Sequence, residues 1–193
     1  MNYHRVSDGT IEPLSYQVVR DHLRVDDVPE EETLINLYNG AARQAWEMRT
    51  GHIISDTQTW TLTLDNWFGE VEIKKSPLIA ISSIQYYDKA DALQTLASTN
   101  YYTFLAGHIG RIRMKAGITL PSLNEDRPGN VIITFTAGYS TPNNVPTDIK
   151  RALLLLIGHY YENRMETQMQ FSADVNNVPL GFIWTSDNYR YWK

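Results

Sequence analysis

Apolar residues return along this chain with two periods, and the change from one to the other divides it. After Pro13, Ser15 is placed to cap a helix over Tyr16 to Val25, whose apolar side carries Val18, Val19, Leu23 and Val25. The acidic run Asp26-Asp27-Val28-Pro29-Glu30-Glu31-Glu32 breaks that helix and opens the next, because carboxylates suit the positive end of a helix dipole. Leu34, Leu37, Tyr38, Ala41, Ala45, Trp46 and Met48 then follow steps of three and four, predicting a helix to Thr50 with Gly51 as its stop.

From residue 57 the period becomes two. In "TQTWTLTLD", Trp60, Leu62 and Leu64 alternate with Thr59, Thr61 and Thr63, the pattern of a half-buried strand. Asp65 to Gly69 read as a turn, with Val71 and Ile73 on the return strand. "LIAISSIQYYD" is a third strand and "ALQTL" a short fourth after the Asp88–Asp91 turn. "YYTFLA" and "GRIRMK" pair around Gly107 and Gly110, and "VIITFTAGY" is the last strand, closed by Gly138. Residues 57–139 are therefore expected to be an antiparallel β region inserted between helices.

Pro146 sits where the first turn of a helix favours proline. Helical spacing runs from Ile149 to Arg164, and Leu153, Leu156, Ile157, Tyr160 and Tyr161 share one broad face. Ala152, Leu154 and Leu155 widen that face, so the helix is expected to be buried on several sides. A polar loop follows to Pro179, then an aromatic tail. The sequence predicts an extended arm over residues 182–193, because Gly181 and Ser186-Asp187-Asn188 offer joints. Phe182, Trp184, Tyr189, Arg190, Tyr191 and Trp192 are residue types that anchor interfaces. The alternative is a tail folded back on its own helices as a clasp. The fold class is α+β: a small helical bundle with an inserted antiparallel region, in one domain over 1–193 comprising 11–51, 57–139, 146–164 and 165–193.

A hydrophobic fraction of 42% in 193 residues supports a sizeable core. Twelve tyrosines and five tryptophans, with 20% charged residues, favour a surface that binds other proteins. The formal net charge of -5 argues against a general nucleic-acid binder. No cysteine is present, which excludes disulfide scaffolds, thiolate metal sites and thiol catalysis. The stretch MNYHRVSDGT has no apolar core of signal-peptide length, and the run Ala152–Ile157 is far short of the roughly 20 residues of a membrane span. The expectation is a soluble protein without secretion or membrane contact.

Candidate chemistry is sparse. His159 and Glu162 lie three apart on one helix, but a carboxylate-bridged metal site needs a second such pair. His52 and His108 lie in glycine-containing turns without partners at ligand spacing. No phosphate-binding glycine loop and no Gly-x-Ser-x-Gly elbow occur. The pairs Asp26-Asp27 and Glu125-Asp126 read as solvated loops. Arg111, Arg113 and Lys115 share one strand face, either to touch phosphate or an acidic neighbour or to guard an edge strand. No cofactor, metal or catalytic set is expected.

The ordered segments "EPLSYQVVRDHLRVDD", "AARQAWEMRTGHIISDTQTWTLTLD", "SPLIAISSIQYYD", "VIITFTAGYSTPNNVPTDIKRALLLLIGHYYENR" and "VPLGF" resemble the head–tail connector, or adaptor, proteins of long-tailed bacteriophages. The resemblance covers about residues 11 to 182; residues 1–10 and the tail after Phe182 depart from it. It implies a helical bundle with a β insertion and no enzymatic activity. It further implies a ring, typically of twelve copies, between the portal of the DNA-filled capsid and the stopper or tail-completion protein. DNA would pass through that ring without sequence-specific binding, and the protein would reside in the virion after synthesis in the host cytoplasm. The aromatic tail would then meet the portal or an adjacent copy. Two other readings compete: a β-rich virion module binding host carbohydrate or another tail protein, and a metal-dependent hydrolase using His159 and Glu162.

Overall fold

Strand β8 (Val131–Ala137) organises the sheet region, because it is apolar at every second position and pairs on both sides. The computed structural model describes residues 1–7, 11–105, 109–163 and 178–190. The chain divides into two compact units: Met1–Gly9 with Thr57–Gly138, and Thr10–Asp56 with Tyr139–Lys193. The α+β class expected from the sequence is what the structure has.

In the β unit, β1 (Asn2–Ser7), β2 (Gln58–Leu64), β4 (Leu78–Tyr87), β5 (Leu93–Thr95) and β8 form an antiparallel sheet of order β1-β2-β8-β4-β5. The register sets Leu62 and Ile84 on either side of Ile133, and Trp60 and Ile81 on either side of Phe135. Leu62, Ile84, Ile133 and Phe135 are fully buried. β3 (Glu70–Ile73), β6 (Tyr101–Phe104) and β7 (Gly110–Met114) form a separate three-stranded sheet of order β3-β7-β6.

Three features of this unit correct the sequence expectation. Residues 2–7, to which the hydrophobic pattern assigns no element, are strand β1. Its polar sequence hides it, and it is held by the ladder to β2 and by Tyr3, whose ring meets Phe135 edge-on at 6.3 Å. The Tyr3 hydroxyl accepts from the Lys74 amide at 2.9 Å and donates to the Glu72 carbonyl at 3.4 Å. β3 does not return along β2 but pairs with β7. β7 is the middle strand of its sheet, so Arg111 and Arg113 do not guard an edge.

The helical unit holds α1 (Tyr16–Leu23), α2 (Pro29–Thr50), α3 (Thr147–Glu162) and α4 (Leu180–Tyr189). Ser15 caps α1 by accepting from the Val18 amide. Arg24, left-handed at φ 57°, ends α1 two residues before the expected Val25. α2 starts on Pro29 and Glu30–Glu32 and stops at Gly51, whose φ of 71° suits glycine and whose N–H reaches the Glu47 carbonyl at 2.9 Å. The buried side of α2 is Ile35, Asn39, Ala42 and Trp46, one position round from the expected stripe, which leaves Leu37 65% and Met48 83% exposed. Asn39 belongs in that core because its amide donates to the Leu14 carbonyl at 2.9 Å. On α3, Ile149, Ala152, Leu153, Leu156 and Ile157 are buried. Among the described residues no helix is long and apolar enough to cross a membrane.

The expected extended arm is instead helix α4 as far as Tyr189. Pro179 starts it, and the hydroxyls of Thr185 and Ser186 fold back onto the carbonyls of Gly181 and Ile183 at 2.8 Å, so the supposed joint is absorbed into helix. The turn at Gly107, His108, the loop 165–177, Tyr191 and Trp192 lie outside the described residues.

Gly110 marks the tightest approach in the β unit. A Cβ there would collide with the Leu78 side chain, whose Cβ and Cγ lie 3.0 and 3.1 Å away. Gly110→Ala is expected to destabilise by about 1–3 kcal/mol through overpacking. The measurement is a lower denaturant midpoint with an unchanged slope.

Candidate functional site

Trp46 faces into the helical unit and is fully buried. The Phe182 ring meets it edge-on at 5.9 Å and the Tyr189 ring lies tilted at 5.5 Å, so α4 is packed through the side opposite to Trp184. Polar contacts ring this aromatic centre. Arg49 donates to Ser186 Oγ and to Asp187 Oδ1, both at 2.7 Å. The Tyr189 hydroxyl donates to the Asp148 carboxylate at 3.0 Å in the first turn of α3. His52, buried after the α2 stop, shares a 2.9 Å hydrogen bond between its Nε2 and the Tyr139 hydroxyl, and its ring lies 5.1 Å from Tyr189. The loop from α2 is pinned by Glu47, whose Oε1 accepts from the amides of Ile54 and Ser55.

The tail residues therefore divide by role. Phe182 and Tyr189 are inside contacts, and Arg190 lies 3.4 Å from Asp187. Trp184 is 71% exposed, with Leu180 one turn before it also exposed, so these two present the apolar outer side of α4. Tyr191 and Trp192 lie outside the described residues.

The second group is brought together on one face of the three-stranded sheet. Register places Glu70, Arg113 and Tyr102 in one row and Glu72, Arg111 and Phe104 in the next. Arg111 lies 3.4 Å from Glu72 and 3.8 Å from Glu70, and Arg113 lies 3.9 Å from Glu70. Lys115 places its Nζ 4.7 Å from the Tyr102 ring centroid. Three cations against two carboxylates leave this face with a single formal positive charge, too little for a strong phosphate track. These ion pairs are exposed and contribute little stability individually. Sequence reading found the cations but missed Glu70 and Glu72, because the strand that carries them pairs across 36 or more intervening residues.

His159 and Glu162 are not joined into a metal site. His159 Nδ1 lies 3.2 Å from the Asn163 side-chain amide, which also donates to the His159 carbonyl at 3.0 Å, an arrangement that caps α3. Among the described residues no group of three or more His, Asp or Glu is placed to hold a metal ion. A cleft of about 640 Å³ lies in the β unit, lined among others by Asp65, Trp67, Lys89, Arg127 and Asn130. Its polar groups mostly anchor the loop: Trp67 donates to the Pro121 carbonyl at 2.7 Å, Asp65 accepts from the Gly129 amide, and Arg127 pairs with Asp91 while stacking on Tyr87.

Burial, and then the Asp148 carboxylate, push the hydroxyls of Tyr139 and Tyr189 up to about 12, from an ordinary value of 10.0. Between those values the folded state retains protons that the unfolded chain has lost. The stability they contribute is present below pH 10 and is lost as pH rises through about 12. Unfolding by urea is expected to show this loss, and Asp148→Asn to flatten it. An equal slope in both proteins above about pH 10 would contradict the assignment.

No protein-family model matches the chain, and no curated protein does. Solved structures do. A chain from the neck of an empty gene transfer agent particle is similar at 24% identity with a TM-score of 0.79, over 98% of this chain and 95% of that one. A chain of the native gene transfer agent virion is similar at 24% identity and a TM-score of 0.78, with the same coverage. A chain from the neck of the native particle is similar at 22% identity and a TM-score of 0.75. This chain has the fold found in the necks of those phage-like particles.

Proposed function

We propose that this chain is a structural virion protein, a head–tail connector that forms a ring of twelve copies under the portal and links the DNA-filled capsid to the stopper and tail. The observation that carries the reading is the likeness of 98% of the chain to neck chains, both units included. One of those necks was computed with C12 symmetry and another with C6, which supports a rotationally repeated assembly. The surfaces fit protein contacts better than chemistry: an exposed Trp184–Leu180 stripe and a nearly neutral sheet face with two exposed rings. In this reading the protein works in the virion, DNA passes through the ring without sequence readout, and Trp184 docks on the portal or on an adjacent copy. The competing reading, carbohydrate binding by the β unit, rests on Tyr102 and Phe104 as a platform.

Negative charge on every copy opposes spontaneous association, so the isolated protein stays a monomer or weak oligomer in dilute solution and closes into rings on its portal. Light scattering on the free protein and electron microscopy with and without portal test this; large rings from dilute protein alone would contradict it. Phe182→Ala and Trp184→Ala separate the two sides of α4. The first is expected to destabilise the fold by about 3–5 kcal/mol by hollowing the Trp46 contact. The second is expected to stay within about 0.5 kcal/mol of the parent in stability yet to lower portal joining. Normal joining by Trp184→Ala removes that residue from the interface.

A further inference from the structure

We propose that the β6 edge of the three-stranded sheet pairs with the β3 edge of a neighbouring copy, so that the sheets of successive copies join into one closed band. This rests on the ring reading above and names the surface that joins its copies. Among the described residues the β unit has four sheet edges: β1, β5, β3 and β6. Three carry devices that discourage chance pairing. β5 is three residues long, β1 has a register break between Arg5 and Ser7, and β3 carries Glu70 and Glu72. β6 has no charge, no proline and no break, and its Tyr102 and Phe104 are 54% and 52% exposed. An unguarded aromatic edge of this kind is a template for another strand.

Geometry and charge select β3 of a second copy as that strand. β3 and β6 both run antiparallel to β7, so they point the same way. Copies rotated about an axis along the strands therefore set β6 of one beside β3 of the next in parallel. Both edges are four residues long. Such a contact joins two different surfaces and repeats until the ring closes. Pairing β3 with another β3 would oppose carboxylates to carboxylates. Beside β6 those carboxylates, which meet Arg111 and Arg113 within their own copy, find a further cation: Lys115 lies over the Tyr102 ring and forms no ion pair among the described residues.

The absence of cysteine makes a crosslinking test clean. Two double variants cover the register, Glu72→Cys with Tyr102→Cys and Glu72→Cys with Phe104→Cys. Within one copy these strands flank β7 and stand roughly 9–10 Å apart, beyond the ~7 Å a disulfide spans. Oxidised particles carrying at least one of these pairs should give a ladder of linked copies on a non-reducing gel, while Tyr102→Cys alone stays monomeric. A separate variant, Tyr102→Glu with Phe104→Glu, sets carboxylates on β6 against Glu70 and Glu72 of the neighbour's β3 and should lower incorporation into the neck at least tenfold while the purified chain keeps its circular-dichroism spectrum. Neck rings seen by electron microscopy without any ladder would overturn the proposal. So would dimers from Tyr102→Cys alone, which indicate β6–β6 pairing, or normal incorporation of the glutamate variant. If the parent chain builds no ring in the particle, the connector reading itself fails, and this contact fails with it.

Discussion

The helical unit is assembled around the burial of one indole. Trp46 lies on α2, meets Phe182 and Tyr189 of α4, and belongs to the same buried cluster as Ile149, Leu153 and Leu156 of α3. Its Nε1 is buried without an acceptor among the described residues. An unsatisfied donor of this kind costs about 1–3 kcal/mol, less than the roughly 3–5 kcal/mol that removing a buried aromatic ring costs. Apolar packing therefore outweighs polar satisfaction at the centre, and hydrogen bonding moves to the rim. Arg49 with Ser186 and Asp187, Tyr189 with Asp148 and His52 with Tyr139 all lie around the ring system rather than within it.

What could be read in advance follows from which forces act locally. The start of α1 and both ends of α2 were legible because Ser15, Pro29 and Gly51 act on the backbone beside them. Strands β2, β4 and β8 were legible because their alternation is strong. β1 was not, since a strand with one ordered aromatic and five polar or exposed neighbours owes its existence to the partner it pairs with. The partner of β3 was hidden for the same reason. α4 was misread because Ser186, Asp187 and Asn188 look like a joint, yet each has a tertiary or helical role that sequence spacing does not display: Ser186 is buried and Asp187 holds Arg49. The rotation of the α2 stripe turned on Asn39, a polar residue whose place in the core depends on a carbonyl 25 residues away.

The candidate surfaces were legible in composition more than in position. An excess of aromatic residues drew attention to the tail, and the rings of its described part split between inward and outward sides only once α4 is helical. The cation stripe was placed on the correct strand, and its meaning changed when two glutamates came alongside. A row of acid, base and ring favours fit to a particular protein neighbour over general attraction to a polyanion.

The position of β8 at the middle of its sheet has a consequence for synthesis. Among the described residues it is the last strand in sequence, yet β2 and β4 both hydrogen-bond to it. Until residue 137 has emerged, β2 and β4 have no common partner and each presents a bare edge. α2 likewise waits about a hundred residues for α3. Distant pairings of this kind slow folding and prolong the time for which strands are open to other chains.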